Sequence, residues 1–80
     1  MAVNYIQISN PNDFAKFIQF YRKKSRLSRE KLGMLSGVGR TAIFDLEHGK
    51  TTYKIDTLLK IMEVLNLKLY IDGSLNGELK

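Results

Sequence analysis

The residues best equipped for chemistry in this 80-residue chain are cations. Lys16, Arg22, Lys23, Lys24, Arg26, Arg29 and Lys31 crowd between positions 16 and 31, against a single acid, Glu30. A localised basic stretch attracts phosphates, an anionic membrane surface or an acidic protein. Covalent chemistry has far less to work with. The chain has no cysteine and one histidine, His48. That removes disulfides, thiolate metal ligands and thiol nucleophiles, and leaves His-based dyads and metal sites improbable. The remaining polar residues show no nucleophile–base pairing, no ligand spacing and no glycine-rich phosphate cradle after a strand. No catalytic residue, metal or cofactor is therefore expected, and a binding protein is favoured over an enzyme. The lack of cysteine fits a reducing cytoplasm. No apolar run approaches the roughly 18 residues of a spanning helix, and the opening Met1-Ala2-Val3-Asn4-Tyr5-Ile6 lacks the features of a secretory signal. The expectation is a cytoplasmic protein with no membrane partner.

The elements that must position these cations can be read from periodicity. A net charge of +5 with 44% hydrophobic and 26% charged residues suits one small globular domain. At this length a chain buries only about 60% of its unfolded surface, so association with a second copy would help it. Residues 3–8 alternate weakly and are rich in strand formers. Asn10-Pro11-Asn12-Asp13 carries the signals of a helix start. Phe14, Phe17, Ile18 and Tyr21 then form an apolar stripe along a first helix ending near Lys24. Ser28 caps a short second helix over residues 29–36, with Leu32 and Leu35 inward, and Gly37 ends it. A third helix runs from about Arg40 to His48, with Ile43 and Leu46 (and partly Ala42) inward, and Gly49 closes it. A fourth spans roughly Lys54 to Leu65, with Ile55, Leu58, Leu59, Ile61, Met62 and Leu65 on a broad apolar face. Leu67, Leu69 and Ile71 alternate with Lys68, Tyr70 and Asp72, the period of a half-buried strand. Residues 1–80 thus read as one domain. Its helical core covers 11–66, a C-terminal strand 67–72 and a flexible tail 74–80.

Two short helices joined through a glycine suggest a helix-turn-helix. The steep crossing limits side-chain size at the contact, which Gly33 satisfies, and Gly37 supplies the freedom of the turn. Beyond this pattern, the chain from Leu27-Ser28 to Leu67 resembles the DNA-binding domain of phage repressors and bacterial XRE-type regulators. The resemblance rests on Leu32-Gly33, Ser36-Gly37-Val38-Gly39-Arg40-Thr41-Ala42-Ile43, Leu46-Glu47-His48-Gly49-Lys50 and Asp56-Thr57-Leu58-Leu59-Lys60-Ile61. The ending Leu67-Lys68-Leu69-Tyr70-Ile71 is similar to the HipB antitoxin subfamily, in which a C-terminal strand pairs with its twin and the antitoxin holds a kinase-like toxin. The expected fold is all-α: a four- to five-helix repressor-like helix-turn-helix domain with a short C-terminal β-strand used in dimerisation. Arg29 stands where many members carry Gln, Gly33 replaces the usual Ala, and Phe44 and Asp45 replace small or amide residues.

Arg40 is the foremost candidate for base reading, since its planar fork matches guanine O6 and N7. Thr41 suits a thymine methyl or a phosphate. Phe44 lies about 100° around the helix from Ile43, where it could meet a thymine methyl or fold against the second helix. Asp45 is repelled by phosphates unless it accepts from cytosine or pairs with a neighbouring cation. Arg29, Lys50 and the backbone N–H groups around Ser28 and Gly39 should hold phosphates and fix register. His48 ends its helix near the negative pole or touches a phosphate when protonated. The resemblance implies a structural ion pair between Glu47 and Arg22 on the first helix. Leu67, Leu69, Tyr70 and Ile71 need a backbone neighbour, from residues 3–8 or, preferably, from the same strand of a second copy. The resulting homodimer would set two recognition helices roughly 34–36 Å apart on an inverted repeat of double-stranded DNA. By resemblance, the chain represses its own operon and is the antitoxin of a HipA-type serine/threonine kinase toxin. Rival readings are a stand-alone regulator of phage or restriction-modification type, and a protein-interaction module with a basic face.

Overall fold

Asn10 begins the first helix by reciprocal capping. Its Oδ1 accepts from the Asn12 N–H at 2.9 Å, while the Asp13 carboxylate accepts from the N–H groups of Ser9 and Asn10 at 2.8 and 3.2 Å. Donors that the first turn leaves without helical partners are thereby satisfied. The computed structural model describes residues 5–73. Among these it contains four helices: α1 (Asn12–Lys24), α2 (Arg29–Ser36), α3 (Arg40–Glu47) and α4 (Ile55–Val64). All four stop by one device. After α1, α2, α3 and α4 the chain turns left-handed at Arg26 (φ 58°), Gly37 (φ 75°), Gly49 (φ 93°) and Asn66 (φ 58°). The next N–H then reaches back to a carbonyl of the last turn: Leu27 to Arg22, Val38 to Gly33, Lys50 to Asp45, Leu67 to Met62. This closes otherwise orphaned carbonyls at each end.

Ile18, Leu32, Ile43, Leu46, Leu58, Ile61, Met62 and Leu65 form one buried cluster to which every helix contributes. Burial of such side chains stabilises by about 1.5–3 kcal/mol each. The buried line of α1 is Ala15, Ile18 and Arg22, with Phe14 and Tyr21 packed at the cluster's edge rather than inside it. Tyr53, in the loop before α4, packs on the same cluster, and burial pushes its phenol above the ordinary value.

Two sequence expectations are corrected here. Leu35 is 53% exposed, not inward. The crossing of α2 over its neighbours is centred on Leu32 and Gly33, both buried, and Leu35 lies about 110° around the helix from that centre. Ile55 and Leu59 are likewise exposed on α4, and Ala42 on α3, so the apolar faces are narrower than the sequence suggests.

The larger correction concerns fold class. The domain is all-α, and no β-strand occurs among the described residues: neither residues 5–9 nor 67–73 form one. Leu67, Leu69, Tyr70 and Ile71 are therefore not a C-terminal dimerisation strand. Alternating hydrophobicity marks a segment as half-buried, but a strand exists only where a second backbone runs alongside. The two terminal segments meet through side chains instead, with the Tyr5 and Tyr70 rings edge to face at 5.6 Å. The first two residues of the expected N-terminal strand and the expected tail 74–80 lie outside the described residues.

Candidate nucleic-acid interface

The junction of α2 and α3 is built around a contact that tolerates no side chain. A Cβ on Gly33 would stand 2.6 Å from the Val38 carbonyl oxygen and 3.6 Å from Ile43 Cδ1. Gly37 follows at φ 75°, and its N–H donates to the Gly33 carbonyl at 2.8 Å. At the other end of α2, Ser28 Oγ accepts from the Lys31 N–H at 3.0 Å. Gly39 precedes α3 with extended backbone and no contact within 4 Å of a Cβ built there.

Ile43 and Leu46 anchor α3 to the core, leaving Arg40, Thr41 and Phe44 exposed and Asp45 half-exposed. Thr41 and Asp45 mark the line opposite Ile43, at about 160° and 200° around the helix. Arg40 instead lies toward the start of α2. With Arg22, Ser28, Arg29 and Glu30 it lines an open cleft of about 350 Å³. The three arginines outnumber Glu30 and the Glu47 carboxylate behind them by one, so the cleft keeps a net positive charge, and α2 begins beside it, an arrangement that suits a phosphate oxygen.

Behind the cleft, the Glu47 carboxylate is wholly buried. Arg22 donates to it through Nε at 2.6 Å and Nη2 at 3.0 Å, and through Nη1 to the Leu27 carbonyl at 2.8 Å. Arg29 adds a third bond, Nε to Glu47 Oε1 at 3.0 Å. The network ties the end of α1, the turn after it, the start of α2 and the end of α3 together. Among the described residues no buried side-chain polar atom lacks a partner.

The sequence reading assigned Arg29 to phosphates and missed its bond to Glu47. A signal was present: a cation in the first turn of a helix faces the wrong end of the dipole, so its position asks for a nearby carboxylate. Arg29 also lies over the Phe44 ring, 5.1 Å from its centre. His48 stacks on the same ring at 3.9 Å with planes 19° apart, and its Nδ1 donates to the Phe44 carbonyl at 2.7 Å. Lys50 Nζ is 3.8 Å from Asp45 Oδ2 in an exposed pair, so the recognition-helix carboxylate has a cation beside it. Exposed pairs of this kind contribute little to stability. No cluster of three or more His, Cys, Asp or Glu capable of holding a metal occurs among the described residues. No helix among them is long and apolar enough to cross a membrane.

Comparison with known proteins places this geometry in context. A family model described as helix-turn-helix matches residues 18–71. An uncharacterized HTH-type transcriptional regulator of Sinorhizobium fredii (strain NBRC 101917 / NGR234), y4mF, is 32% identical over 65 residues, covering 81% of this chain and 86% of that protein. Among solved structures, HipB in a HipB–O1–O2 complex matches with a TM-score of 0.78 at 19% identity, covering 86% of this chain and 100% of that one. A chain of a HipA–HipB–O2–O3 complex matches at 0.79 and 18%, covering 88% and 99%. At such identities the two structures speak to fold alone.

Proposed function

Because the chain belongs to the helix-turn-helix family, and is thereby a DNA-binding regulator rather than an enzyme, we propose that it is a sequence-specific transcriptional repressor. The observation that carries the proposal is the exposed side of α3 standing beside an electropositive cleft, with the helix anchored from beneath by Ile43 and Leu46. In this reading α3 enters the major groove. Arg40 reads guanine, Thr41 meets a thymine methyl or a phosphate, and Phe44 and Asp45 complete the groove-facing surface. The N–H groups at Ser28 and Gly39, together with Lys50, hold phosphates and set the register. Arg29 has given its Nε to Glu47, so its Nη edge is the part left for a phosphate.

Two copies acting together would place two such helices on an inverted repeat, roughly 34–36 Å apart, and obstruct polymerase over a promoter. Leu69, Tyr70 and Ile71 are exposed and apolar, with Leu67 half-buried beside them. Their side chains are the proposed contact between copies. The finest part of the proposal is that the chain is the antitoxin of a HipA-type serine/threonine kinase toxin and represses the operon encoding both. Likeness of fold to HipB over most of both chains supports it. A second reading is a stand-alone regulator with no toxin, with which the relation to y4mF, an HTH-type transcriptional regulator, is equally consistent. A kinase-like frame beside the gene, whose product copurifies with this chain, would decide for the antitoxin.

The repressor reading is tested by sequencing genomic fragments retained by the purified protein, then titrating variants against a panel of half-sites. Arg40→Ala is expected to relax preference at one position, by the 1–3 kcal/mol typical of a bidentate base contact. Lys50→Ala is expected to weaken all duplexes about equally. Affinity should also fall steeply between 50 and 200 mM salt, as counterion release requires. Retention of no fragment would instead favour an acidic protein as the partner of the basic face.

A further inference from the structure

We propose that Phe44 is a specificity-determining residue that reads the 5-methyl group of a pyrimidine through the edge of its ring. The inference rests on the DNA-binding reading above and assigns to it one feature of one base. His48 stacks on the ring at 3.9 Å with planes 19° apart, which covers one face. The Arg29 guanidinium carbon lies over the ring at 5.1 Å; with the first face filled by imidazole, the cation takes the second. Cations favour that position because the face of an aromatic ring is electronegative.

Both clamping groups are themselves held. Arg29 Nε donates to the buried Glu47 carboxylate at 3.0 Å, and His48 Nδ1 donates to the Phe44 carbonyl at 2.7 Å. A ring fixed in this way has little freedom left to lose when a duplex arrives. Phe44 nevertheless remains 45% exposed. With imidazole stacked on one face and the guanidinium carbon over the ring, its edge is the part left for a partner. Stacking on a base or wedging between base pairs needs a bare face, so neither mode is open to it. Phe44 lies on the same helix as Thr41 and Asp45, about 60° and 100° from them around the axis, on the flank next to α2. The apolar feature that a major groove offers to such an edge is the pyrimidine 5-methyl.

The test uses the full chain and duplexes recovered by selection, with each thymine replaced in turn by deoxyuridine, which removes the methyl group alone. The expected result is a loss of about fourfold in affinity at one position per half-site, the worth of one buried apolar carbon. Phe44→Ala should bind the thymine and deoxyuridine duplexes equally at that position. His48→Ala, which bares one ring face and leaves Phe44 in place, should narrow the difference while circular dichroism reports an intact fold. Deoxyuridine losses that persist unchanged in Phe44→Ala at every position would overturn the assignment and leave DNA binding standing. Retention of no duplex by the full chain would overturn the DNA-binding reading itself, and the assignment with it.

Discussion

Glu47 carries more structure per atom than any other polar residue described here, since one carboxylate holds two arginines from two other helices. Taking two charges out of water is costly, and their attraction does little more than offset that cost. Removing one partner is different, because it leaves a buried charge unpaired. Glu47→Ala is expected to lower stability by about 3–5 kcal/mol, read as the midpoint of urea unfolding, a large share of what a small domain possesses. Replacing all three members, Arg22→Met and Arg29→Leu with Glu47→Leu, should recover most of the loss if the account of desolvation is right. The pairing of Arg22 with Glu47 was not derivable from spacing, since 25 positions separate them, and only resemblance to a family suggested it. Arg29 announced itself only by its unfavourable place in the first turn of α2. That signal asks for a carboxylate without saying which, and the one that claims it comes from the far end of α3.

At the scale of elements, the four helices stand within one or two residues of where periodicity and capping residues put them. Ser28, Gly37 and Gly49 are local signals, and local signals survive folding. What periodicity could not supply was the rotation of each helix about its own axis. That is set by the crossing at Gly33, and it turned Leu35 outward. Gly33→Val is expected to destabilise by about 1–3 kcal/mol, because its Cβ would displace the Val38 carbonyl and α3 with it. A helical glycine costs about 1 kcal/mol against alanine elsewhere, so a loss on adding a side chain would identify the close approach as the reason for glycine here. Arg26 offers the opposite case. It adopts φ 58° after α1 with a side chain that disfavours it, so Arg26→Gly should raise stability by about 1 kcal/mol, visible as a higher Tm. The terminal strands failed as expectations for a related reason: alternation is a local property, whereas a strand needs a partner that one chain does not provide here.

For the whole molecule, an excess of five positive charges on 80 residues is concentrated where α1 ends and α2 begins. The side bearing Tyr5, Leu69, Tyr70 and Ile71 is apolar and exposed. The basic stretch suits a polyanion and the exposed apolar residues a protein surface; in the sequence the first shows as a charge cluster and the second as the alternation of residues 67–72. The most direct measurement is amide chemical-shift mapping of the full chain titrated with a duplex recovered by selection. The account expects the large changes at residues 28–31, 39–45 and 50, with the Arg40 and Thr41 amides among the strongest. Changes confined to residues 5–9 and 67–73, with α3 silent, would contradict it.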